Sequence, residues 1–360
     1  SLPKIRGALM RNGRLLRKGT SMKRLYFIGT NDASAQEGIQ ALSWDGDSLR
    51  LEKIAGGGPA CASYLTLTPD GYLLACVERD SFLGVSGGGL VCCKLQNGTL
   101  RTVSTLCGLG KGPCQVCYLP ENRLVFTAGY QDGSVDMALL AEDGTLTHVK
   151  RAQRSGRGPH PEQTGPHAHC CLALPGEKSL LVCDLGTDEI VEYQLPELTV
   201  RRSIRLPAGS GPRHAALSRN RQLLYVACEL SNDVMTIRLS DGALLQKFSH
   251  KPDSGEFKAL SSIRLTQDGT RLVVGCRGDD GVLAFEADAA GLLAEPVFLE
   301  TACSFLWDAL PVSPNGDYLL AAFEREGCLQ ALFRDGDQLK TLAEFRLPHP
   351  TCVLAAGELH

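Results

Sequence analysis

Apolar and polar residues alternate along most of this chain, and the alternating runs come in pairs joined by a Pro, Asp, Asn or Gly turn. Six such pairs can be laid over one another: Ser63–Glu78, Cys114–Tyr130, His169–Asp184, Arg213–Glu229, Ser261–Arg277 and Asp308–Glu324. The first reads SYLTLTPDGYLLACVE and the last DALPVSPNGDYLLAAFE. A period of two marks β-strands, and a short polar turn between two such runs marks a hairpin. The turns recur every ~45–55 residues, the spacing of four-stranded propeller blades. Between the copies lie further alternating runs with NGT, DGT and SDGA turns, residue types that tolerate positive φ. Each unit is therefore expected to hold four strands.

Six copies leave strand-like segments over at both ends. Arg24 to Thr30 with the hairpin after it, and the stretch PHPTCVLAA from Pro348, are expected to share a seventh blade. Joining the termini in one blade closes the ring and removes the sheet edges that an open array exposes. The expected fold is all-β, a seven-bladed β-propeller of four antiparallel strands per blade, occupying residues 22–360 as a single unit. Residues 1–21 are basic and without period, and read as a disordered leader or expression remnant outside the fold.

Composition narrows the function. With 37 Lys and Arg against 40 Asp and Glu, the net charge is −3. No basic stripe interleaved with aromatics points to nucleic acid, and no apolar run approaches the ~18–20 residues of a membrane span. The 15 cysteines fall largely inside strand runs, where a free thiol acts as a small apolar side chain. That usage fits a reducing cytoplasm. The CxxC of Cys114 and Cys117 has no second ligand pair at zinc-site spacing, and no metal or cofactor is expected to take part in the chemistry.

Aligning the copies exposes two columns expected to meet at the channel mouth. One opens the inner strands and holds Ser63, Cys114, His169, Arg213, Ser261 and Asp308; the other closes the next strands with Glu78, Tyr130, Asp184, Glu229, Arg277 and Glu324. His169, Arg213, Glu229 and Arg277 depart from the local rule without serving packing. Together they suit acid–base chemistry on an anionic substrate, because a His or Glu moves a proton while two guanidiniums hold a carboxylate or oxyanion. The plainer alternative is that Arg213–Glu229 and Arg277–Asp184 are structural ion pairs between blades. His167, two residues before His169 in an extended PHAH segment, shares its face. His167 and His214, with Asp184, Glu78 and Asp308, complete the expected substrate-binding set.

Four motifs at these positions resemble the lactonase-type seven-bladed propellers, a family that includes 6-phosphogluconolactonases and carboxymuconate cycloisomerases. They are QTGPHAHC from Gln163, DLGTDEIVEY from Asp184, GPRHAALS from Gly211 with YVACELSNDV from Tyr225, and RGDDGVLAF from Arg277. AGYQDGSV from Ala128 resembles the family's Asn-Tyr-Gly-Gly-Gly-Ser-Val segment. The resemblance runs from about Met22 to the C-terminus. It implies a His–Arg–Glu–Arg site at His169, Arg213, Glu229 and Arg277. It also implies opening of a sugar-acid lactone, with His169 or Glu229 as general base and the arginines on the oxyanion. His169 is the first choice for the base because its ordinary pKa lies nearest neutrality. The chain departs from the family at Trp307-Asp308, where Pro-Arg is usual, and an acid in place of an anion-holding Arg implies a shift in substrate. The alternatives are a muconate-type lactonizing cycloisomerase using the same groups, and a non-catalytic propeller binding a partner at its mouth. The expected ligand is a small anionic lactone or sugar acid, with neither nucleic acid nor membrane as partner, and the expected state is a monomer or weak homo-oligomer.

Overall fold

The computed structural model describes residues 23–44, 50–176, 178–251 and 258–358, with two short strand pieces at Met10–Arg11 and Arg14–Leu15. The rest of the segment read as a leader lies outside the described residues. Among the described residues seven antiparallel four-stranded blades follow one another, five as separate sheets and two, blades 7 and 1, joined into one eight-stranded sheet by a single parallel pairing of Leu100 with Gly57. Their inner strands are Ala62–Leu67, Pro113–Leu119, Ala168–Leu174, Pro212–Leu217, Ala259–Leu265 and Leu306–Pro311 for blades 1 to 6, and Pro350–Glu358 for blade 7. These strands touch one another around a closed ring. Blade 7 adds Arg24–Thr30, Ile39–Trp44 and Glu52–Gly57 to the C-terminal strand, so the termini share one sheet as the leftover segments required.

The alternation explains how the ring packs. Second strands such as Tyr72–Val77 and Leu223–Cys228 are buried on both faces, because each blade is covered by a neighbour on either side. Each pair of neighbouring blades accordingly encloses one apolar cluster. Tyr72, Leu74, Val116 and Val125 fill the space between blades 1 and 2, and Tyr26, Ile28, Leu320 and Leu329 fill that between blades 6 and 7. Fourth strands such as Leu146–Ala152 face water along most of their length. Hairpin turns use the residues their backbone demands: Gly71 sits at φ +82° and donates to Thr68 O, a conformation other residues adopt only with strain.

One irregularity repeats around the ring and positions the site. Each inner strand of blades 1 to 6 carries a bulge after its first or second residue. The unpaired residue is Ser63, Cys114, His169, Arg213 or Trp307 in turn, with Ser261 and Ser262 together in blade 5. A bulge re-aims the extra side chain out of the pleat, and in all of these blades but blade 5 that side chain lines one cavity.

Candidate active site

The bulged residues and the second-strand ends line one cavity of about 190 Å³. Its wall consists of Ser63, Tyr64, Glu78, Cys114, Tyr130, His169, Arg213, His214, Glu229, Arg277 and Trp307. This volume falls below the usual range of drug-sized sites, so it suits a small polar molecule.

At its centre lies an ion-pair cluster. Arg213 Nη1 donates to Glu229 Oε2 at 2.5 Å, and Arg277 Nη2 reaches the same oxygen at 2.7 Å. Arg213 Nη1 also lies 2.7 Å from His169 Nε2. A guanidinium can only donate, so Nε2 is the acceptor, and the proton of the neutral ring sits on Nδ1, which faces Cys114 Sγ at 3.6 Å. Burial, then the adjoining Arg213 charge, holds His169 well below the ordinary imidazole pKa. His214, edge-on to His169 with ring centroids 5.3 Å apart, is held down by the same two causes. Burial works against the Glu229 carboxylate, but the two arginines outweigh it and keep its pKa below the ordinary value. Arg277 is lowered by burial to about 10 and so remains charged at neutral pH. The Trp307 ring lies 4.9 Å from the Arg277 guanidinium and 5.3 Å from that of Arg213, covering both charges on one side. Arg213 Nε is buried and makes no hydrogen bond among the described residues.

Glu78 differs from Glu229. It follows the second strand of blade 1 at the cavity wall, and no guanidinium pairs with it among the described residues. Burial raises its pKa, against smaller lowering effects of Ser63 and Arg213.

The structure places the expected site residues as follows. His169 stands in the cavity wall, where its Nε2 lone pair accepts from Arg213 and burial beside that charge disfavours its protonated form. Asp308 does not line the cavity. Its oxygens accept from Arg264 Nε at 3.2 Å and Nη2 at 2.7 Å, and from the Val353 N–H at 2.9 Å. It follows the bulge, and the residue in the bulge is Trp307. Asp184 is also turned away, accepting from the backbone N–H groups of His167 and Gly186. Arg277 pairs with Glu229 where Asp184 was its expected partner. His167 stands behind the wall, with Nδ1 2.6 Å from Tyr130 O and its ring stacked on Tyr130. His214 is in the lining as expected. Tyr64 belongs to the lining without having been singled out, Trp307 was noted only as part of the Trp307-Asp308 departure, and Ser63, Cys114 and Tyr130 stood in the aligned columns without an assigned role.

A closed seven-bladed ring, with one arginine at an inner-strand bulge and a second arginine and two carboxylates at second-strand ends, defines a propeller with a small polar cavity. The chain belongs to the family described as Lactonase, 7-bladed beta-propeller, whose model matches residues 25–355. It is 28% identical over 358 residues to the 6-phosphogluconolactonase of Bacillus subtilis, covering 92% of this chain and 98% of that protein. Among solved structures it is similar to the periplasmic gluconolactonase of Pseudomonas aeruginosa, with a TM-score of 0.84, 26% identity and coverage of 94% and 100% of the two chains. A protein from Lactobacillus plantarum matches with a TM-score of 0.83 at 26% identity, over 93% of this chain and 99% of that one. Among the described residues no helix is long and apolar enough to cross a membrane.

Proposed function

We propose that this protein hydrolyses the lactone of a sugar acid in the channel-mouth cavity, with Glu78 as general base. The observation that carries the reading is the division of labour between the two carboxylates. Glu229 is neutralised by two guanidiniums and is a weak base, whereas Glu78 faces the same cavity without such a partner and has a raised pKa. A base poised above the ordinary carboxylate range is better matched to removing a proton from water near neutrality.

In this reading the lactone carbonyl lies against Arg213 and Arg277. Glu78 takes a proton from water as the water oxygen bonds to the carbonyl carbon. The carbonyl π electrons move onto oxygen, where the two arginines stabilise the charge. The tetrahedral intermediate then re-forms the carbonyl and breaks the ring C–O bond, and the departing ring oxygen takes back the proton held by Glu78. The products are a hydroxyl and a carboxylic acid; the acid loses its proton to solvent water, and the carboxylate stays on the arginines until release. His169 keeps Arg213 in place throughout.

The charge of the cavity favours an unphosphorylated substrate. Two guanidiniums face two carboxylates, the lining histidines are held neutral, and no surplus cation is left for a phosphate dianion. The same count disfavours the polycarboxylate of a muconate-type cycloisomerase. The free thiols fit a reducing compartment, and we assign the reaction to the cytoplasm on that ground. A panel of aldonolactones with and without a phosphate tests the substrate reading. The expected result is a higher kcat/KM on the unphosphorylated members; equal or higher values on the phosphorylated ones refute it.

A further inference from the structure

We propose that Cys303, Cys328 and Glu344 form a binding site for a thiophilic divalent cation of the zinc class, at the junction of blades 5 and 6 and apart from the channel-mouth cavity. Cys303 lies in the connection between Val297–Glu300 and Leu306–Pro311; Cys328 opens the strand Cys328–Asp335, and Glu344 belongs to Gln338–Arg346. Gln330 pairs with Glu344 and Cys328 with Arg346, which sets these side chains on one face of blade 6. The two sulfurs are 3.7 Å apart, and one donor atom from each of the three residues lies within 4.8 Å of the others. A tetrahedral ion with Zn–S bonds of ~2.3 Å separates two thiolate sulfurs by about 3.8 Å. The thiol pair already has that spacing, and the half-exposed Glu344 side chain can swing its oxygen inward.

A second observation points to the same three groups. The buried Gln330 amide spans them: Nε2 donates to Cys303 Sγ at 3.1 Å and to Glu344 Oε2 at 2.8 Å. Its oxygen accepts from Thr341 Oγ1 at 3.4 Å, which fixes the orientation of the amide, and Arg346 Nε holds the other Glu344 oxygen at 2.7 Å. Outer hydrogen bonds that orient ligands in this way are a regular part of metal centres. Uptake of the cation replaces the two S–H protons with two metal–sulfur bonds, adds one bond to the carboxylate and leaves a fourth position for water. Occupancy ties the 301–305 connection to blade 6. That connection ends at Phe305, held at φ +61° with its ring 6.0 Å from Trp307 and 5.9 Å from the Arg277 guanidinium.

The test is a Cd²⁺ titration of the full chain, reduced with a non-thiol phosphine and followed by the ultraviolet sulfur-to-cadmium charge-transfer band, with Zn²⁺ as competitor. The wild type is expected to take up one equivalent with a band that Zn²⁺ abolishes. Cys303→Ser loses the band, Glu344→Gln weakens binding, and Gln330→Leu weakens it about 10- to 100-fold. Cys107→Ser, a half-buried thiol elsewhere, keeps it. The exposed Glu344→Gln change reports on the site even if a core variant fails to fold. A wild type without the band, or a Cys303→Ser protein that retains it, overturns the site. So does a pair that forms only a Cys303–Cys328 disulfide and takes up no cation once reduced.

Discussion

Glu78 and Glu229 show how one cavity gives the same side chain two properties. Removing the charge of Glu229 leaves Arg213 and Arg277 facing each other in a buried space, and an uncompensated buried charge typically costs about 3–5 kcal/mol. Glu229→Gln is therefore expected to lower stability by about that amount in urea denaturation. Glu78 is charged at a cost, since burial raises its pKa, so Glu78→Gln should leave stability unchanged or slightly higher while cutting kcat by about 10²–10⁴. The base must be ionised to act. Activity is accordingly lost as the pH falls through the raised Glu78 pKa, and the acid limb of kcat/KM should lie above the ordinary carboxylate range. An acid limb at or below that range would remove Glu78 from the role. Trp307 acts through its ring over both guanidiniums, and its truncation to Ala should lower kcat/KM by roughly tenfold, given about 1–2 kcal/mol for a desolvated cation–π contact.

At the level of the strand, the repeated bulge decides which side chain enters the cavity, and here the sequence could be read only in part. Hairpins and their fourfold grouping were legible because alternation and turn residues are local signals. So were His169, Arg213, Glu229 and Arg277, since charge at a strand end stands out against apolar copies. The bulge leaves no residue signature, and the hairpins differ in length: Thr68 pairs across its turn with Tyr72, but Val312 pairs with Tyr318. Counting back from the turn therefore slips by one residue in blade 6, and a slip of one in a strand reverses the side a residue faces. That slip put Asp308 where Trp307 stands. Asp308 instead joins blade 6 to Arg264 of blade 5 and to the backbone of blade 7. Asp308→Ala should accordingly cost about 3 kcal/mol of stability by strandedness of Arg264, with the KM for the lactone unchanged. A raised KM at wild-type stability would return Asp308 to the substrate. The division of labour between Glu78 and Glu229 was illegible for another reason: it depends on which oxygen each guanidinium reaches, a distance set only when four blades close together.

For the whole molecule, closure through blade 7 makes the cavity possible. The C-terminal strand supplies Cys352 to the cluster shared with blade 1 and Val353 to the one shared with blade 6, and it covers the edge of Arg24–Thr30. A chain ending before Pro350 would expose that edge along its length, and such edges pair with other chains. Truncation there is expected to give aggregated protein, as read by size-exclusion chromatography. A monomeric truncated chain with wild-type activity would mean the ring does not depend on this strand. Seven blades hold the bulges in register, which is why groups from three of them (His169, Arg213 with Glu229, and Arg277) meet at hydrogen-bonding distances, with Glu78 of a fourth in the same cavity wall. The measurement that bears most directly on the account is the rate of proton release from an unphosphorylated aldono-1,5-lactone, corrected for spontaneous hydrolysis, for the wild type and Glu78→Gln side by side. With Glu78 as the base, the wild type turns over rapidly and the variant loses at least about 10² in rate; no turnover by the wild type, or equal turnover by both proteins, removes Glu78 from the reaction.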